Sequence, residues 1–347
     1  MPFSAFMAHA LYDEQEGFYA SGRAAVGTSG DFYTNVSVGA VYGELLADQF
    51  LEMRGVLGED FVIVEQGAND GRLAGDVLEA LERRGEGPIP YWIIEPFAPL
   101  RARQEALLAE KNVRWFSTPD ELPAFEGVHF SNELFDALPV DLVRSRGGTW
   151  CELRVTVADG KFVWSEGDEF VGELPPRPAG YTTEIRTTHR PLLASLAAKL
   201  RRGFLLAVDY GWNREAFFAP HRSEGSLSCY SGHRRDSLPL EEPGTKDISA
   251  HVDFSQLAAD AEADGWRLDG FTDQHHFLVG AAKRMLTGMD GAPPSPENAK
   301  KLRTLQTLMH PESMGTQFHA LLLSRGVAQP SRFSGFQFAR PAAAQLY

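Results

Sequence analysis

A short apolar run is followed at once by a turn that contains two glycines and two acids. Residues 61–64 are apolar, and Glu65-Gln66-Gly67-Ala68-Asn69-Asp70-Gly71 comes directly after them. The two glycines let the backbone turn sharply and let a ligand approach without a Cβ in the way. Asn69 stands where many such turns have a third glycine, and asparagine tolerates a left-handed backbone. The pattern predicts a ligand-binding turn at the carboxyl end of a strand.

Another acid follows the next apolar run. Residues 91–94 end at Glu95, where a carboxylate can accept hydrogen bonds from both hydroxyls of a ribose. The dinucleotide pattern G-x-G-x-x-G is absent, because Ala68 and Asn69 follow Gly67. An acid that opens the turn, followed by G-x-x-x-G, resembles the first motif of methyltransferases. We therefore predict S-adenosylmethionine as the cofactor, bound by Glu65, Gly67, Ala68, Asn69, Gly71 and Glu95.

Alternatives to this prediction remain open. The glycines could form no more than a tight turn between a strand and a helix, with Glu95 as a surface acid. A dehydrogenase is the second choice by fold alone, although its glycine pattern is wrong. We find no spacing of zinc ligands and no phosphate-binding P-loop, so no metal is expected. Two further acids are weaker candidates for the site: Asp31 follows a glycine-rich loop that could be a lid, and Asp209 ends another buried strand.

Three polar residues follow the apolar run at 128–131. Asn132, Glu133 and Asp136 lie within five positions, again where a strand would end. A methyl acceptor must be positioned and, if needed, deprotonated. Glu133 and Asp136 could orient a cationic acceptor such as a guanidinium, and Asn132 could hold the cofactor. The alternative is a helix N-cap in which the acids favour the helix dipole.

Apolar runs alternate with amphipathic segments over much of the chain. Helices are expected at 3–12, 43–53, 72–84, 99–110 and 190–201, and strands at 61–64, 91–94, 113–116, 128–131 and 204–209. The runs are apolar almost throughout, which indicates a parallel sheet covered on both faces. The predicted fold class is therefore α/β: a Rossmann-like, doubly wound, mostly parallel sheet with antiparallel additions and extra helices.

The expected domain organisation has one main domain, residues 58–326, after an N-terminal helical and lid segment, residues 1–57. Alternating residues around Asp159-Gly160 predict an antiparallel hairpin insertion at about 141–185. A second insertion, at about 212–310, is expected to begin as a long loop over 215–253. Helices at 253–263, 275–286 and 296–309 and a strand at 318–324 should follow. The tail, 327–347, is rich in Pro, Ala and Gln and is expected to be poorly ordered.

Composition narrows the classes of partner. The chain has 347 residues, a formal net charge of −14 and only two cysteines. So acidic a protein would be repelled by nucleic acid and by anionic membranes, whereas a basic protein segment or a small molecule fits better. We find neither a secretory signal nor an apolar run long enough for a membrane span. From these features we predict a cytoplasmic protein without nucleic-acid or membrane partners. A homodimer is compatible with the same features.

The order of the motifs resembles the MidA-like methyltransferases, whose mitochondrial members assist the assembly of respiratory complex I. The segments that carry the resemblance are Phe6-Met7, Ala10-Leu11-Tyr12, Gly17-Phe18-Tyr19, Gly30-Asp31-Phe32, Gly43-Glu44-Leu45, the turn after Glu65, Asn132-Glu133, Phe135-Asp136-Ala137-Leu138-Pro139, Asp209-Tyr210-Gly211, Asp247-Ile248-Ser249, His251-Val252-Asp253-Phe254 and Met314-Gly315. The resemblance implies a class I methyltransferase fold and, for the mitochondrial members, symmetric dimethylation of an arginine in a complex I subunit. Carried over, it implies cofactor binding by Gly67, Gly71 and Glu95 and places Asp31, Asn132, Glu133 and Asp136 near the reaction centre.

Two departures from the family pattern bear on function. Ala68-Asn69 replaces a Pro-Gly pair in the turn, and Val36-Ser37 replaces a Pro-Glu pair after Thr34. Three hypotheses follow. The first is a methyltransferase that acts on arginine in a protein, the second is a small-molecule methyltransferase, and the third is a cofactor-binding assembly factor without turnover. The missing glutamate near position 37 favours the third.

Overall fold

An open, mostly parallel β-sheet lies at the centre of this computed structural model, which describes residues 1–22, 39–231, 234–291, 293, 295–329 and 332–347. The strands are β1 (Phe61–Gln66), β2 (Tyr91–Ile94), β3 (Val113–Phe116), β4 (Phe125–Asn132), β5 (Asp141–Ser145), β6 (Trp150–Ala158), β7 (Lys161–Glu169), β8 (Thr182–Ile185), β9 (Leu200–Trp212), β10 (Ser228–Ser231), β11 (Arg234–Asp236), β12 (Asp247–Ser249), β13 (Val252–Asp253), β14 (Arg267–Asp273) and β15 (Phe318–Arg325).

Eleven α-helices are assigned in the described ranges. They are α1 (Phe3–Tyr12), α2 (Val41–Leu57), α3 (Arg72–Arg83), α4 (Ala98–Leu107), α5 (His189–Lys199), α6 (Arg214–Phe217), α7 (Phe254–Ala263), α8 (Gln274–Ala281), α9 (Lys283–Met289), α10 (Pro296–Met309) and α11 (Ala342–Leu346). None of them is both long enough and apolar enough to cross a membrane.

The central sheet has the strand order β14-β15-β9-β4-β1-β2-β3, with β13 added beside β9. Strands β3, β2, β1, β4 and β9 are parallel, whereas β15 runs antiparallel to both of its neighbours. The chain moves outward from β1 to β3 and then returns to β4 on the other side of β1. Ligands bind at such a reversal, at the carboxyl ends of the strands. The doubly wound α/β prediction is therefore confirmed.

Both faces of this sheet are covered, which explains the continuous apolar runs. Successive residues of a strand point to opposite faces, so Leu206 and Val208 join the core under α2, α3, α8 and α10. Leu205 and Ala207 join the core under α5, α7 and α11. Strand β9, to which these four residues belong, therefore has no solvent-exposed face on which polar residues could alternate with apolar ones.

Two smaller sheets lie outside the central one. Strands β7-β6-β5-β8 form an antiparallel sheet, and β11-β10-β12 form another. The predicted hairpin is confirmed, since Asp159 and Gly160 connect β6 to β7 with φ values of 50° and 74°. The expected long loop at 215–253 is wrong in part, because it contains α6 and the strands β10 to β13. Buried Cys229 and Ile248 anchor these short strands in a core shared with α1.

The tail is ordered, so the expectation of poor order was wrong for the described residues after 326. Phe333 and Phe336 are buried against the central sheet, and Leu346 of α11 is buried on the other side. The Ser255 hydroxyl donates to the Leu346 carbonyl at 2.6 Å, and the Gln345 amide donates to the Phe271 carbonyl at 2.7 Å. A few well-spaced apolar residues hold the segment despite its average composition.

Truncating Phe336 should destabilise the whole domain. Its ring packs on Phe277 with a centroid distance of 5.4 Å, and it is 8% exposed. We expect Phe336→Ala to lower the free energy of unfolding by about 3–5 kcal/mol in urea denaturation, the usual cost of such a cavity. Phe338, two residues later and 54% exposed, is the matched control and should change stability by less than about 0.5 kcal/mol when replaced by Ala. Equal, small effects would show that the tail does not pack here.

Candidate active site

The carboxyl ends of β1, β2, β4 and β9 meet at one edge of the sheet. In the strand registers, Gln66 of β1 pairs with Ile94 of β2 and with Ser131 of β4, and Asn132 pairs with Val208 of β9. The residues that follow these strands are those that the sequence singled out. The fold therefore brings the glycine turn, Glu95, the segment 132–138 and Asp209 to a common edge.

The turn after β1 has the backbone conformation that its residue types predict. Gly67, Asn69 and Gly71 all have positive φ, at 78°, 49° and 85°. A Cβ on Gly67 would lie 3.3 Å from a methyl carbon of Leu134, so glycine keeps this turn close to the next loop. The Oδ1 atom of Asn69 is buried without a hydrogen-bond partner among the described residues. A buried acceptor without a donor marks a place where a ligand can donate.

Glu65, near the end of β1, stabilises the start of the glycine turn. Its carboxylate is buried and accepts a hydrogen bond from the Tyr91 hydroxyl at 2.6 Å. Burial raises the pKa of Glu65 to about 7. Ala68, in the same turn, packs into the core between the sheet and α3. Both residues therefore support the turn, and their direct contact with cofactor remains a prediction.

Glu95 is held in place by two donors. Its Oε1 accepts from the backbone N–H of Phe97 at 3.0 Å, and its Oε2 accepts from the Gln104 amide at 2.9 Å. Each oxygen has two lone pairs, so each can accept one further hydrogen bond. Burial raises the pKa of Glu95 to about 7. The carboxylate is oriented and still able to accept two hydroxyl donors.

Gln104 connects Glu95 to the glycine turn, a role that no motif in the sequence predicts. Its Nε2 also donates to the Asn69 carbonyl at 2.8 Å, and its Oε1 accepts from the Trp115 indole at 3.0 Å. The residue lies on α4 and is fully buried. Its burial within a mostly exposed helix is visible only in the fold, so no sequence signal marks this residue.

The segment after β4 is a turn, so the alternative of a helix N-cap does not apply. The Asn132 amide donates to a Glu133 oxygen at 2.8 Å and accepts from the Tyr42 hydroxyl at 2.9 Å. Glu133 has a φ of 56°, an uncommon value for a residue with a side chain. The Asp209 carboxylate accepts the backbone N–H groups of Leu134 and Phe135 at 3.0 and 2.8 Å. Asp209 therefore does for this turn what a capping residue does for a helix.

Buried acids collect beside this turn. Asp136 is 8% exposed and Asp209 is fully buried. Burial raises the pKa of Asp136 above its usual range, while the Arg186 guanidinium opposes that rise. Burial raises the pKa of Asp209 well above its usual range, and repulsion from Asp136 and Glu133 adds to it. A cationic group placed beside the turn would favour the ionised form of Asp136 and be attracted to it.

Two tyrosines of the N-terminal segment connect the loops at this edge. The Tyr12 hydroxyl donates to the Ala137 carbonyl at 2.6 Å, and its ring stacks on Phe97 at 5.9 Å. Tyr19 stacks on Tyr12 at 5.7 Å and donates to an Asp247 oxygen at 2.7 Å. Tyr12 thus spans from the loop after β2 to the loop after β4. Asp31, the remaining predicted site residue, lies outside the described residues.

A family model of S-adenosyl-L-methionine-dependent methyltransferases matches residues 45–272, about two thirds of the chain. The chain belongs to this family. Its structure is similar to that of a COG1565 superfamily protein from Burkholderia thailandensis bound to S-adenosyl-homocysteine, with a TM-score of 0.87 and 28% identity over 99% of this chain and 92% of the other. The enzyme is a methyltransferase of class I fold, and S-adenosylmethionine is its cofactor.

Curated relatives carry more specific names. The chain is 27% identical to the Drosophila melanogaster protein named "Protein arginine methyltransferase NDUFAF7 homolog, mitochondrial", over 94% of this chain and 82% of that protein. It is 24% identical to the human protein named "Protein arginine methyltransferase NDUFAF7, mitochondrial", over 92% of this chain and 78% of that protein. These names correct one expectation: the prediction of a cytoplasmic location was wrong, because the relatives are mitochondrial.

The residues at the sheet edge fit this cofactor. Among the described residues, the Asn69 Oδ1 has no hydrogen-bond donor and each Glu95 oxygen accepts one hydrogen bond, which leaves acceptor capacity for ribose hydroxyls. We propose that Gly67, Asn69 and Gly71 face the amino-acid end of the cofactor and Glu95 its ribose. Asn132, beside them on β4, would hold the cofactor near the methyl group.

Cofactor affinity should depend on pH through Glu95. Its pKa of about 7 means that the free protein carries a neutral acid below pH 7 and a carboxylate above it. The carboxylate is the better acceptor for ribose hydroxyls, so binding requires loss of a proton below pH 7. We expect the affinity for S-adenosyl-homocysteine to rise up to about tenfold per unit from pH 5.5 to 7 and then level off. Calorimetry on Glu95→Gln should give a flatter profile; the same slope in that variant would assign the effect to another group.

Proposed function

We propose that the enzyme is a protein-arginine N-methyltransferase. The observation that carries this proposal is the pair of acids in the turn after β4, Glu133 and Asp136, in a turn that the Asp209 carboxylate holds through its backbone N–H groups. A guanidinium is the cation that carboxylates hold best, through two parallel N–H···O hydrogen bonds. The names of the curated relatives support the same substrate class.

The three acids differ in their proposed roles. When bound, the cofactor supplies an electrophilic methyl group on a sulfonium. Glu133, turned by its left-handed backbone and joined to Asn132, orients the guanidinium beside that group. Asp136 accepts the proton that the guanidinium must lose for nitrogen to attack. Asp209 does not face the substrate, because its oxygens are used by backbone N–H groups.

A protein acceptor also fits the charge of the whole chain. A net charge of −14 speeds encounter with a basic segment and lowers affinity for anionic partners. The guanidinium of an arginine lies at the end of a long side chain, so it can reach a recessed carboxylate while the backbone of the substrate stays outside. A homodimer remains a prediction, as do the domain limits given above and the role of Asp31.

The experiment is methyl transfer from isotope-labelled S-adenosylmethionine to a library of basic peptides. Each arginine peptide is paired with a copy in which lysine replaces arginine, and products are identified by mass spectrometry. We expect label on arginine only, removed by Asp136→Asn. Label on lysine copies, or on small amines added as competitors but on no peptide, would favour the small-molecule alternative. Cofactor binding without any transfer would favour the assembly factor, which the Val36-Ser37 departure already suggests.

A further inference from the structure

One buried arginine lies directly behind the turn that carries Asp136. Arg186 directly follows β8 of the small sheet β7-β6-β5-β8, lies outside the central sheet, and is 8% exposed. Its guanidinium donates to four backbone carbonyls, those of Asp136 (3.2 Å), Leu138 (3.1 Å), Ala250 (2.7 Å) and His251 (3.2 Å). A guanidinium has only donors, so this arrangement uses most of its capacity on the backbone.

The turn is therefore held by two opposite charges. Asp209 accepts N–H groups at its beginning, residues 134 and 135, and Arg186 donates to carbonyls at its end, residues 136 and 138. Asp136 lies where the two sets of contacts meet. Movement of the turn would break hydrogen bonds to a buried charge on one side or the other, each of which is costly.

Arg186 also balances charge. Among the described residues Arg186 forms no ion pair within 4 Å. The carboxylates of Asp136, Asp209 and Glu184 nevertheless stabilise its positive charge, and Asp136 has the largest effect. Burying a guanidinium without such neighbours would be unfavourable, and so would burying Asp136 and Asp209 without a cation. The other groups that act on this pair are Tyr12, Tyr19, Tyr210, His189, His251 and Asp253. Burial raises the pKa values of the three tyrosines and lowers those of the two histidines, so all five are neutral near pH 7, and Asp253 adds a further acid. Among these groups Arg186 is therefore the one cation that opposes the acids.

We propose that Arg186 is a positioning residue for methyl transfer, which fixes the Asp136 carboxylate toward the acceptor and keeps it ionised. The proposal rests on the role given to Asp136 above. The backbone contacts supply the position, and the charge supplies the ionised form. Arg186 touches neither acceptor nor cofactor in this account.

The test separates these two contributions with three variants. Arg186→Met removes charge and contacts, Arg186→Lys keeps the charge but cannot reach four carbonyls, and Arg214→Met is the control. Arg214 lines the same cavity of about 340 Å³ as Arg186, is 40% exposed and bonds the Glu173 carbonyl instead of the turn. Turnover of an arginine peptide is measured against pH, together with affinity for S-adenosyl-homocysteine.

We expect the acidic limb of the turnover profile to move up by about one pH unit or more in Arg186→Met, the usual effect of losing a neighbouring opposite charge. Arg186→Lys should keep the midpoint of wild type and lower kcat at least about tenfold, through lost positioning. Arg214→Met should match wild type, and cofactor affinity should stay within about threefold throughout. A midpoint that is unchanged in Arg186→Met, or wild-type turnover in Arg186→Lys, would overturn the proposal.

A measurement without any acceptor keeps the inference independent of the substrate. In urea denaturation at pH 8, Asp136→Asn should recover part of the loss in unfolding midpoint caused by Arg186→Met, because it removes the uncompensated acid. At pH 5 this recovery should shrink. Strictly additive shifts at both pH values would contradict charge compensation. If no peptide is methylated but the recovery is seen, the proposed function fails and the Arg186–Asp136 coupling stands.

Discussion

Replacing Asp136 by Asn lowers the turnover of methyl transfer by about 10²–10⁴-fold, the range that general-base catalysis contributes. The amide keeps the size of the buried side chain but accepts no proton. Affinity for S-adenosyl-homocysteine should change by less than about threefold, because the cofactor contacts proposed above come from the turn after β1, from Glu95 and from Asn132, and not from Asp136. The measurement is steady-state kinetics with an arginine peptide beside calorimetric titration of the same preparation.

The matched control is an acid on β4, the strand that leads into the turn of Asp136. Glu126 lies near the beginning of β4 and pairs with Arg202 at the surface. The candidate site lies beyond the other end of this strand. Glu126→Gln should therefore leave kcat unchanged. If Asp136→Asn instead weakened cofactor binding more than turnover, Asp136 would move from catalysis to cofactor binding. An equal loss in both variants would point to a general loss of stability.

Replacing Glu95 by Ala weakens cofactor binding by about 1–3 kcal/mol, the cost of losing charge-assisted hydrogen bonds. This corresponds to roughly a 5- to 150-fold increase in the Kd for S-adenosyl-homocysteine at pH 8. Glu95 is preorganised by Phe97 N–H and Gln104, so few of its contacts must form anew on binding. Calorimetric titration gives the value directly.

The control for this prediction is Glu105 on the adjoining helix. It is exposed and pairs with Arg101 one turn away, so Glu105→Ala should bind cofactor as wild type does. Unchanged affinity in Glu95→Ala would remove Glu95 from the cofactor site. A Gln104→Ala variant should show a smaller loss than Glu95→Ala, since it only loosens the carboxylate.

The central sheet could be predicted because its strands are buried on both faces. The predicted strands at 61–64 and 91–94 lie within β1 and β2, whose residues at these positions are all apolar and buried. Strand β14 was missed because it is an edge strand with the sequence Arg-Leu-Asp-Gly-Phe-Thr-Asp and an irregular register between Leu268 and Gly270. Its polar residues read as loop, and only pairing with β15 makes it a strand.

The site could be predicted only where its residues are neighbours in sequence. The turn from Gly67 to Gly71 and the acid at 95 have local patterns that follow from strand ends. Asp209 is only a weaker site candidate without a stated role, and Arg186 is not predicted at all, because their hydrogen-bond partners lie 74 and 50 residues away in the sequence. No spacing in the chain encodes such contacts. The order of the tail could not be predicted for the same reason, because it depends on the packing of Phe336 and Leu346 against distant residues and not on composition.

A crystal structure with S-adenosyl-homocysteine tests the central claim most directly. The account predicts both ribose hydroxyls within hydrogen-bond distance of the Glu95 carboxylate, the amino-acid end along the turn from Gly67 to Gly71, and the sulfur facing Asp136. A ribose bound away from Glu95, or a sulfur on the far side of the turn from Asp136, would contradict the assignment of the cofactor and acceptor sides.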